Sequence, residues 1–476
     1  MIAGGENRLR KNSLGLIAVT FMVVSAAAPL TGVAGAMPLA FLLGNGTGVP
    51  LTFVLLTLVM LAFAAGYVAM SRHVTNAGAF YAYAARGLGG TWGGAVSMVA
   101  LVAYNTMQFG LVGLLGGVSS GVFGGLGIDL PWYVWSYIAI ALVGILGYRQ
   151  VDLSAKVLVV LVALEYAIVL IVDFAILTKG GPEGTTAPFL DFGALNSGSP
   201  TAAILFCLGS FIGIEATTIY GEEAKNPEVT IPRATYIAVF MIGLFFAFTT
   251  WLMIKGVGAE NLQTTLGGLE DPTVFFFHLT GQYVGGSVAK IAGLLLISSL
   301  FAALSAFHNY VARYVYVAGR EGLLPAVFGR THNEHQSPHI GSVAQTIGAV
   351  VVTGLFAALQ LDPILNYFTW ISQIGVLGVL GMMAVTSIAI IVFFRRQGGG
   401  SPLATLILPS VAAVIMAALF AYVFVNFGDL TGTSGGALGW ILPGLIPLGA
   451  AIGWLMAARL RGSDRAAYAL LGQSQS

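Results

Sequence analysis

Residues 206–233 read FCLGSFIGIEATTIYGEEAKNPEVTIPR. The stretch begins as an apolar helix suited to lipid and runs into Gly209-Ser210-Phe211-Ile212-Gly213, where two glycines four apart weaken a helix at about mid-membrane depth. Glu215 follows at once, and a carboxylate at that depth costs roughly 2.5–3.5 kcal/mol on insertion scales. A polar turn from Glu222 to Arg233 closes the stretch. In it Asn226-Pro227 is expected to stop one helix and Thr230 to cap the next, with Pro232 in its first turn. Irregular backbone is tolerated in a bilayer only where protein or a wet cavity surrounds it. The stretch therefore predicts half of a transport site.

The surrounding composition agrees. Of 476 residues, 57% are hydrophobic and only 8% charged, against about 25% charged in an ordinary soluble domain. Mean hydropathy is +0.89, so most of the chain is expected in the lipid bilayer. A net charge of +1 argues against nucleic acid as a partner. Six scattered histidines and one cysteine exclude disulfide scaffolds and zinc spacings. Cys207 reads as packing rather than chemistry. No cleavable leader is expected, since the apolar run after Lys11 is too long for one.

That first run, about residues 14–43, would reach about 45 Å as one helix, against a hydrocarbon core of about 30 Å. It must tilt strongly or break. Pro29, Gly32, Gly35 and Pro38 supply the means, which predicts an unwound middle over Thr31-Gly32-Val33-Ala34-Gly35-Ala36-Met37. Further runs lie at about 51–71, 93–122, 131–148, 153–178, 200–220, 234–256, 286–312, 341–361, 366–394, 403–426 and 437–459. Each exceeds the length a spanning helix needs and lacks strand alternation, giving twelve helical spans.

Twelve spans put both termini on one side. If that side is the cytoplasm, 17 of the 20 Lys and Arg residues fall on it, and only Lys179, Lys255 and Lys290 fall outside. The positive-inside rule then places the termini in the cytoplasm. Outside, residues 179–199 read as irregular, while Pro272–Tyr283 is apolar enough for a short helix, either over the outer vestibule or as an interfacial anchor. Inside, Ser71–Gly90 reads as a connector along the membrane surface.

The broken runs are numbers one and six, so two halves of five spans each begin with an interrupted helix. That arrangement points to an inverted repeat with a midplane site. A break frees N–H groups at one half-helix start, which attract a carboxylate, and C=O groups at the other half-helix end, which attract an ammonium. A zwitterionic amino acid satisfies both. The competing reading of isolated glycines is close helix packing. Two breaks at matching positions favour a site built from the backbone of Thr31–Gly35 and of Gly209, Ser210, Phe211 and Gly213.

The string from Phe211 to Ala234, F-I-G-I-E…EEAKNP…IPRA, resembles the helix-6 signature of the amino acid–polyamine–organocation permeases. Thr75-Asn76-Ala77-Gly78-Ala79-Phe80-Tyr81-Ala82-Tyr83 and Arg320-Glu321-Gly322-Leu323-Leu324-Pro325 add modest matches at the right intervals. The resemblance implies an all-α membrane fold of the leucine-transporter type. Its parts are a cytoplasmic N-terminus (1–13), a first five-helix repeat (14–178), a second (200–394), two peripheral helices (403–459) and a cytoplasmic tail (460–476). The family's Gly-Ser-Gly carboxylate cradle falls on Val33-Ala34-Gly35, where the first glycine and the serine are absent. Gly209 stands where some members carry an aromatic gate, which enlarges the pocket and makes Phe211 the nearest outer lid. Tyr104, Met107 and Gln108 are expected to face the same cavity, with interior packing as the alternative.

Glu165 lies nine residues after Lys156, about 13.5 Å up the fifth span, where relatives often carry a lysine. A carboxylate there can carry a proton, ligate sodium, bind a substrate cation, or simply bond a neighbouring helix; Ser298 and Ser299 are candidate partners. Glu215 is implied as an inner gate or proton step, with a packing bond as the alternative. Glu222, Glu223 and Arg233 read as ion-pairing residues of the inner face, Asp173 as interfacial, and His308 as a satisfied core histidine. Together these readings predict a secondary transporter that moves an amino acid, coupled to protons or sodium, with an amine or polyamine carrier or an exchanger as alternatives. No cofactor, metal or enzyme chemistry is expected, and the chain could be a monomer or a homodimer.

Overall fold

The computed structural model describes residues 15–26, 28–74, 78, 80–149, 155–182, 187–219, 224–335, 337–432 and 436–473. Among these no strand occurs, and each of the twelve apolar runs carries a helix, whole or broken. In chain order the helices are α1 (Leu16–Ala26), α2 (Met37–Leu42), α3 (Val49–Ser71), α4 (Phe80–Leu88), α5 (Gly90–Gly124), α6 (Trp132–Tyr148), α7 (Ala155–Lys179), α8 (Pro200–Gly209) and α9 (Ala216–Ile219). They continue as α10 (Pro227–Val257), α11 (Leu262–Gly267), α12 (Phe275–Tyr283), α13 (Gly286–Arg320), α14 (His339–Ala358), α15 (Thr369–Gln397), α16 (Leu408–Val425), α17 (Leu438–Ser463) and α18 (Arg465–Leu470). Nine helices among the described residues are long and apolar enough to cross a membrane; Thr31–Leu42, Trp132–Tyr148 and Pro200–Gly209 are shorter apolar helices.

The molecule is assembled around α5. Its small residues let neighbours approach closely, the device that replaces hydrophobic driving force between helices in lipid. A Cβ at Gly94 would lie 2.6 Å from the carbonyl of Gly453 on α17, one at Gly110 2.6 Å from Ser372 on α15, and one at Gly116 2.7 Å from the Trp132 carbonyl of α6. The glycines thus set three helix crossings on one element.

Three local expectations are corrected. The segment Thr31–Ala36 is a π-helix continuous with α2, not an unwound middle. Gly32 N–H bonds the Ala28 carbonyl at 3.0 Å and Met37 N–H bonds that of Gly32, so this backbone stays in helical register. The chain breaks earlier, at Ala28, whose φ of 42° no helix accepts. Second, α10 begins at Pro227 rather than after Thr230. Asn226 takes the left-handed φ of 48°, and Pro227, which lacks an N–H to waste, starts the helix. Thr230 then lies inside it and gives its hydroxyl to the Lys225 carbonyl. Third, Asp173 is not interfacial: it is 2% exposed and accepts the Thr249 hydroxyl at 2.7 Å.

The outer loop forms α11 and α12, and Phe275 of α12 stacks edge-on against Phe41 of α2 at 6.1 Å. The Tyr283 hydroxyl meets the carbonyls of Gly180 (3.1 Å) and Gly256 (2.8 Å), while Lys179 Nζ donates to the Tyr283 carbonyl at 2.6 Å. One tyrosine ties the ends of α7, α10 and α12. Residues 180–182 and 187–199 hold no helix, as expected.

At the opposite end the connector becomes α4, and residues after α17 fold back onto it. Tyr468 Oη accepts the Thr91 N–H at 3.2 Å. Gly472, at φ 71°, turns its N–H onto Tyr81 Oη at 2.8 Å, and Tyr81 donates to Glu321 at the end of α13. Thr75–Ala77, Ala79, Glu222 and Glu223 lie outside the described residues, and Arg233 is exposed.

Candidate functional site

Both interrupted helices face one cavity. It encloses about 80 Å³ and is lined from the first helix by Ala28, Thr31 and Gly32 and from α8 and the turn after it by Phe206, Gly209, Ser210 and Ile212. α5 adds Met107 and Leu111, α13 adds Phe307, and the α15 region adds Phe368, Ser372, Gln373 and Val376. No charged side chain lines it. Three lining polar groups, Ser210 Oγ, Ser372 Oγ and Gln373 Oε1, are buried without a hydrogen-bond partner. Orphaned buried polar atoms cost about 1–3 kcal/mol each, a debt that a polar ligand in this cavity would relieve.

The expected site residues divide accordingly. Thr31, Gly32, Gly209, Ser210 and Met107 line the cavity. Gly209 leaves open space, since a Cβ there would meet only Val376 at 3.5 Å. Val33, Ala34 and Gly35 stand off it, because the π-helix turns them into packing; a Cβ on Gly35 would strike Leu114 at 2.9 Å. Phe211 does not line the cavity: its ring packs on Phe53 at 6.2 Å. The aromatic groups that do border the cavity are Phe206 and Phe368, 6.4 Å apart, and Phe307. Gln108 bonds Gln345 and His308 Nδ1 (3.2 Å) instead, and His308 Nε2 meets Ser342 at 2.7 Å, so that histidine is satisfied core.

Helix six opens at Ser210. A run of turns over Ser210–Glu215 separates α8 from α9, and Gly213 takes φ 110°, a conformation L side chains rarely adopt. Glu215 fixes this opening. Its Oε2 accepts the Gly213 N–H at 2.8 Å and its Oε1 accepts the Tyr104 hydroxyl at 2.9 Å. Its backbone carbonyl accepts Thr218 Oγ1 (3.0 Å) and Tyr67 Oη (3.2 Å). Tyr104 and Glu215 thus sit behind the cavity and join α5 to the second half-helix, with the Tyr104 ring tilted against that of Tyr314 at 5.6 Å.

Helix one opens at Ala28, and the amide this leaves over is that of Leu30. Glu165 takes it: Oε2 accepts the Leu30 N–H at 3.2 Å and the Ser299 hydroxyl at 2.8 Å. Ser299 Oγ in turn lies 3.0 Å from Thr31 Oγ1, which borders the cavity. Ser298 turns away and bonds the Leu295 carbonyl. A continuous hydrogen-bonded line therefore runs from cavity wall to buried carboxyl, Thr31–Ser299–Glu165–Leu30, joining the first helix, α13 and α7. Glu165 is not among the residues that line the cavity.

Ser372 and Gln373 are the site residues that sequence reasoning missed. The available signal was a Ser-Gln pair in an otherwise apolar run, a costly placement that usually marks function.

The amino acid permease family model matches residues 19–461. The low-affinity putrescine importer PlaP of Escherichia coli (strain K12) is 24% identical over 329 residues, which are 67% of this chain and 70% of that protein. The branched-chain amino acid permease BcaP of Lactococcus lactis subsp. cremoris (strain MG1363) is 24% identical over 390 residues, 76% of this chain and 78% of that protein. The cationic amino acid transporter 4 of Mus musculus is 25% identical over 225 residues, 46% of this chain and 31% of that protein. With the family model covering most of the chain and multiple helices fit to span a membrane, this is a multi-pass membrane transporter, not an enzyme, and it belongs to the amino acid permease family, within the amino acid–polyamine–organocation superfamily.

Proposed function

We propose that this chain is a secondary active transporter that imports a neutral amino acid across the cytoplasmic membrane by alternating access, driven by protons. The observation that carries the reading is the uncharged cavity between two helix breaks, with Thr31 and Ser210 at the breaks and Ser372 and Gln373 orphaned opposite. The uncharged polar side chains of Thr31, Ser210, Ser372 and Gln373 suit the carboxylate and ammonium of an amino acid. Phe206, Phe307, Phe368, Met107 and Leu111 suit a side chain without charge. The twelve-span count, the five-plus-five inverted repeat and cytoplasmic termini complete the reading, supported by the paired breaks and the basic asymmetry of the loops.

Glu165 is the coupling group in this reading. As a carboxylate it holds Leu30 and Ser299 by charge-assisted bonds, which are roughly twice as strong as neutral ones. A proton delivered to it weakens its hold on the first half-helix, and Thr31 reports the change to the bound substrate. Glu215 gates from below by holding Gly213 and Tyr104. Amine transport is the second reading, favoured by the likeness to the putrescine importer PlaP; it requires half-helix carbonyls alone to hold the cation.

The test is uptake of labelled amino acids and of putrescine into proteoliposomes under an inward proton gradient without sodium. Wild type is expected to need the gradient, and Glu165→Gln, which keeps the acceptor carbonyl but cannot titrate, is expected to exchange substrate without responding to the gradient. A sodium requirement, or a gradient response unchanged in the variant, sinks the assignment.

A further inference from the structure

Away from the transport cavity, α6 and α14 enclose a groove of about 550 Å³ on the outer wall of the molecule. Its apolar walls come from Ile145, Val343 and Ile347, which are 54%, 43% and 58% exposed. Its floor is where the helices touch: a Cβ on Gly144 would lie 2.9 Å from Thr346 Oγ1. An exposed apolar groove on a spanning helix pair faces acyl chains, not water.

The mouth of the groove has the opposite character. Arg149, exposed, stands at the end of α6 beside Tyr148, and both border the groove. Three imidazoles surround the Tyr148 ring, His332 at 5.2 Å, His335 at 6.2 Å and His339 at 6.0 Å between centroids. His332 Nδ1 accepts the N–H groups of Glu334 (3.2 Å) and His335 (3.3 Å), so its proton sits on Nε2, a donor. His339 opens α14, a 20-residue helix whose N-cap, Pro338, offers no side-chain cap, and its Nδ1 is buried without a partner. The first amides and the positive end of that helix dipole therefore lie at the mouth. The feature that would repel an anion, the carbonyl end of α6, is blunted because Ser337 Oγ donates to the Tyr148 carbonyl at 2.6 Å. Glu334 is the one acidic residue of residues 331–339, and at the mouth an anion would meet Arg149 and the positive end of the α14 dipole.

We propose that this groove binds one anionic phospholipid, with an acyl chain between α6 and α14 and the phosphate at Arg149, Tyr148 and the start of α14. The proposal rests on the reading that this end of α6 lies at the cytoplasmic surface, where anionic headgroups attract basic residues. Charge complementarity selects the occupant: a zwitterionic lipid satisfies the groove equally but gains less at the mouth.

The full chain in nanodiscs of phosphatidylcholine with a minor share of phosphatidylglycerol, released for native mass spectrometry, tests this without any transport readout. Wild type is expected to retain one phosphatidylglycerol in preference to phosphatidylcholine. Arg149→Gln should weaken that preference about fivefold, the equivalent of about 1 kcal/mol per basic residue near the surface, while Arg149→Lys keeps most of it. Ile347→Trp, which fills the groove and leaves the mouth intact, should abolish retention of either lipid there. Equal retention of both lipids by wild type overturns the proposal. So does phosphatidylglycerol retention in Ile347→Trp at the wild-type level, or displacement by glycerol 3-phosphate alone, since each shows that the groove holds no chain. Monodispersity on size exclusion separates loss of lipid from loss of fold.

Discussion

At the scale of single residues, Glu215 concentrates the most consequence. Its two carboxyl oxygens hold an amide of the helix break and the hydroxyl of Tyr104 on another helix. Replacing Tyr104 by Phe leaves Oε1 buried without its donor, a loss of about 1–3 kcal/mol. We expect Tyr104→Phe to lower the thermal unfolding midpoint in detergent and to slow transport with little change in substrate affinity, because Tyr104 does not border the cavity. A variant as stable as wild type with a raised KM would instead return Tyr104 to the substrate wall.

At the scale of elements, the returning segment α18–Gly472 depends on Glu321. That carboxyl, beyond the end of α13, has a pKa raised above the ordinary glutamate value, chiefly by burial, with the Tyr81 hydroxyl pulling the other way. A raised value in the folded state means that the docked arrangement binds the proton more tightly than the undocked one. Its contribution to stability is complete below the ordinary value of 4.5 and is lost as pH rises through the raised value. Relative to Glu321→Gln, which is neutral throughout, wild type is expected to lose unfolding temperature as pH rises above the ordinary glutamate value of 4.5. A difference that stays flat, or grows in the other direction, removes Glu321 from the role.

The same scale explains what could be read from the sequence. Run lengths and charge placement located every long helix, because bilayer thickness and backbone satisfaction leave the chain few choices. The break in helix six was visible as Gly209, Gly213 and Glu215 in series. The break in helix one was displaced, since glycines at 32 and 35 look like weak points while the chain actually turns at Ala28, just ahead of Pro29. Side-chain direction was harder still. Val33, Phe211 and Gln108 stand near the cavity in sequence yet point into packing, a matter of a fraction of a helical turn's rotation that apolar patterning in lipid does not encode. Ser299 was foreseen as a neighbour of Glu165; the amide of Leu30 as its second partner was not, because backbone donors carry no sequence label.

At the scale of the whole molecule, the three lysines expected on the outer side fall at the ends of neighbouring helices. Lys179 and Lys255 end α7 and α10, the two helices that Tyr283 ties together, and Lys290 lies in the first turns of α13, just beyond it. If those ends face outward, then α4, α18 and the histidine-bearing loop before α14 face the cytoplasm. A fluorescent protein fused after Ser476 is accordingly expected to fluoresce in cells, and a periplasm-dependent phosphatase in the same place to be inactive; the reverse pair of results inverts the orientation and every inner-face assignment with it.

Cys207 gives these motions a ready witness. The chain has one thiol, fully buried three residues before the opening of helix six. In the proposed alternating-access cycle a single native thiol beside the helix break makes this permease its own reporter: the rate at which small alkylating reagents reach it is expected to follow the opening of the cavity. Because no other cysteine competes, adding one more anywhere yields a defined pair for distance measurement, with one end already fixed at the hinge.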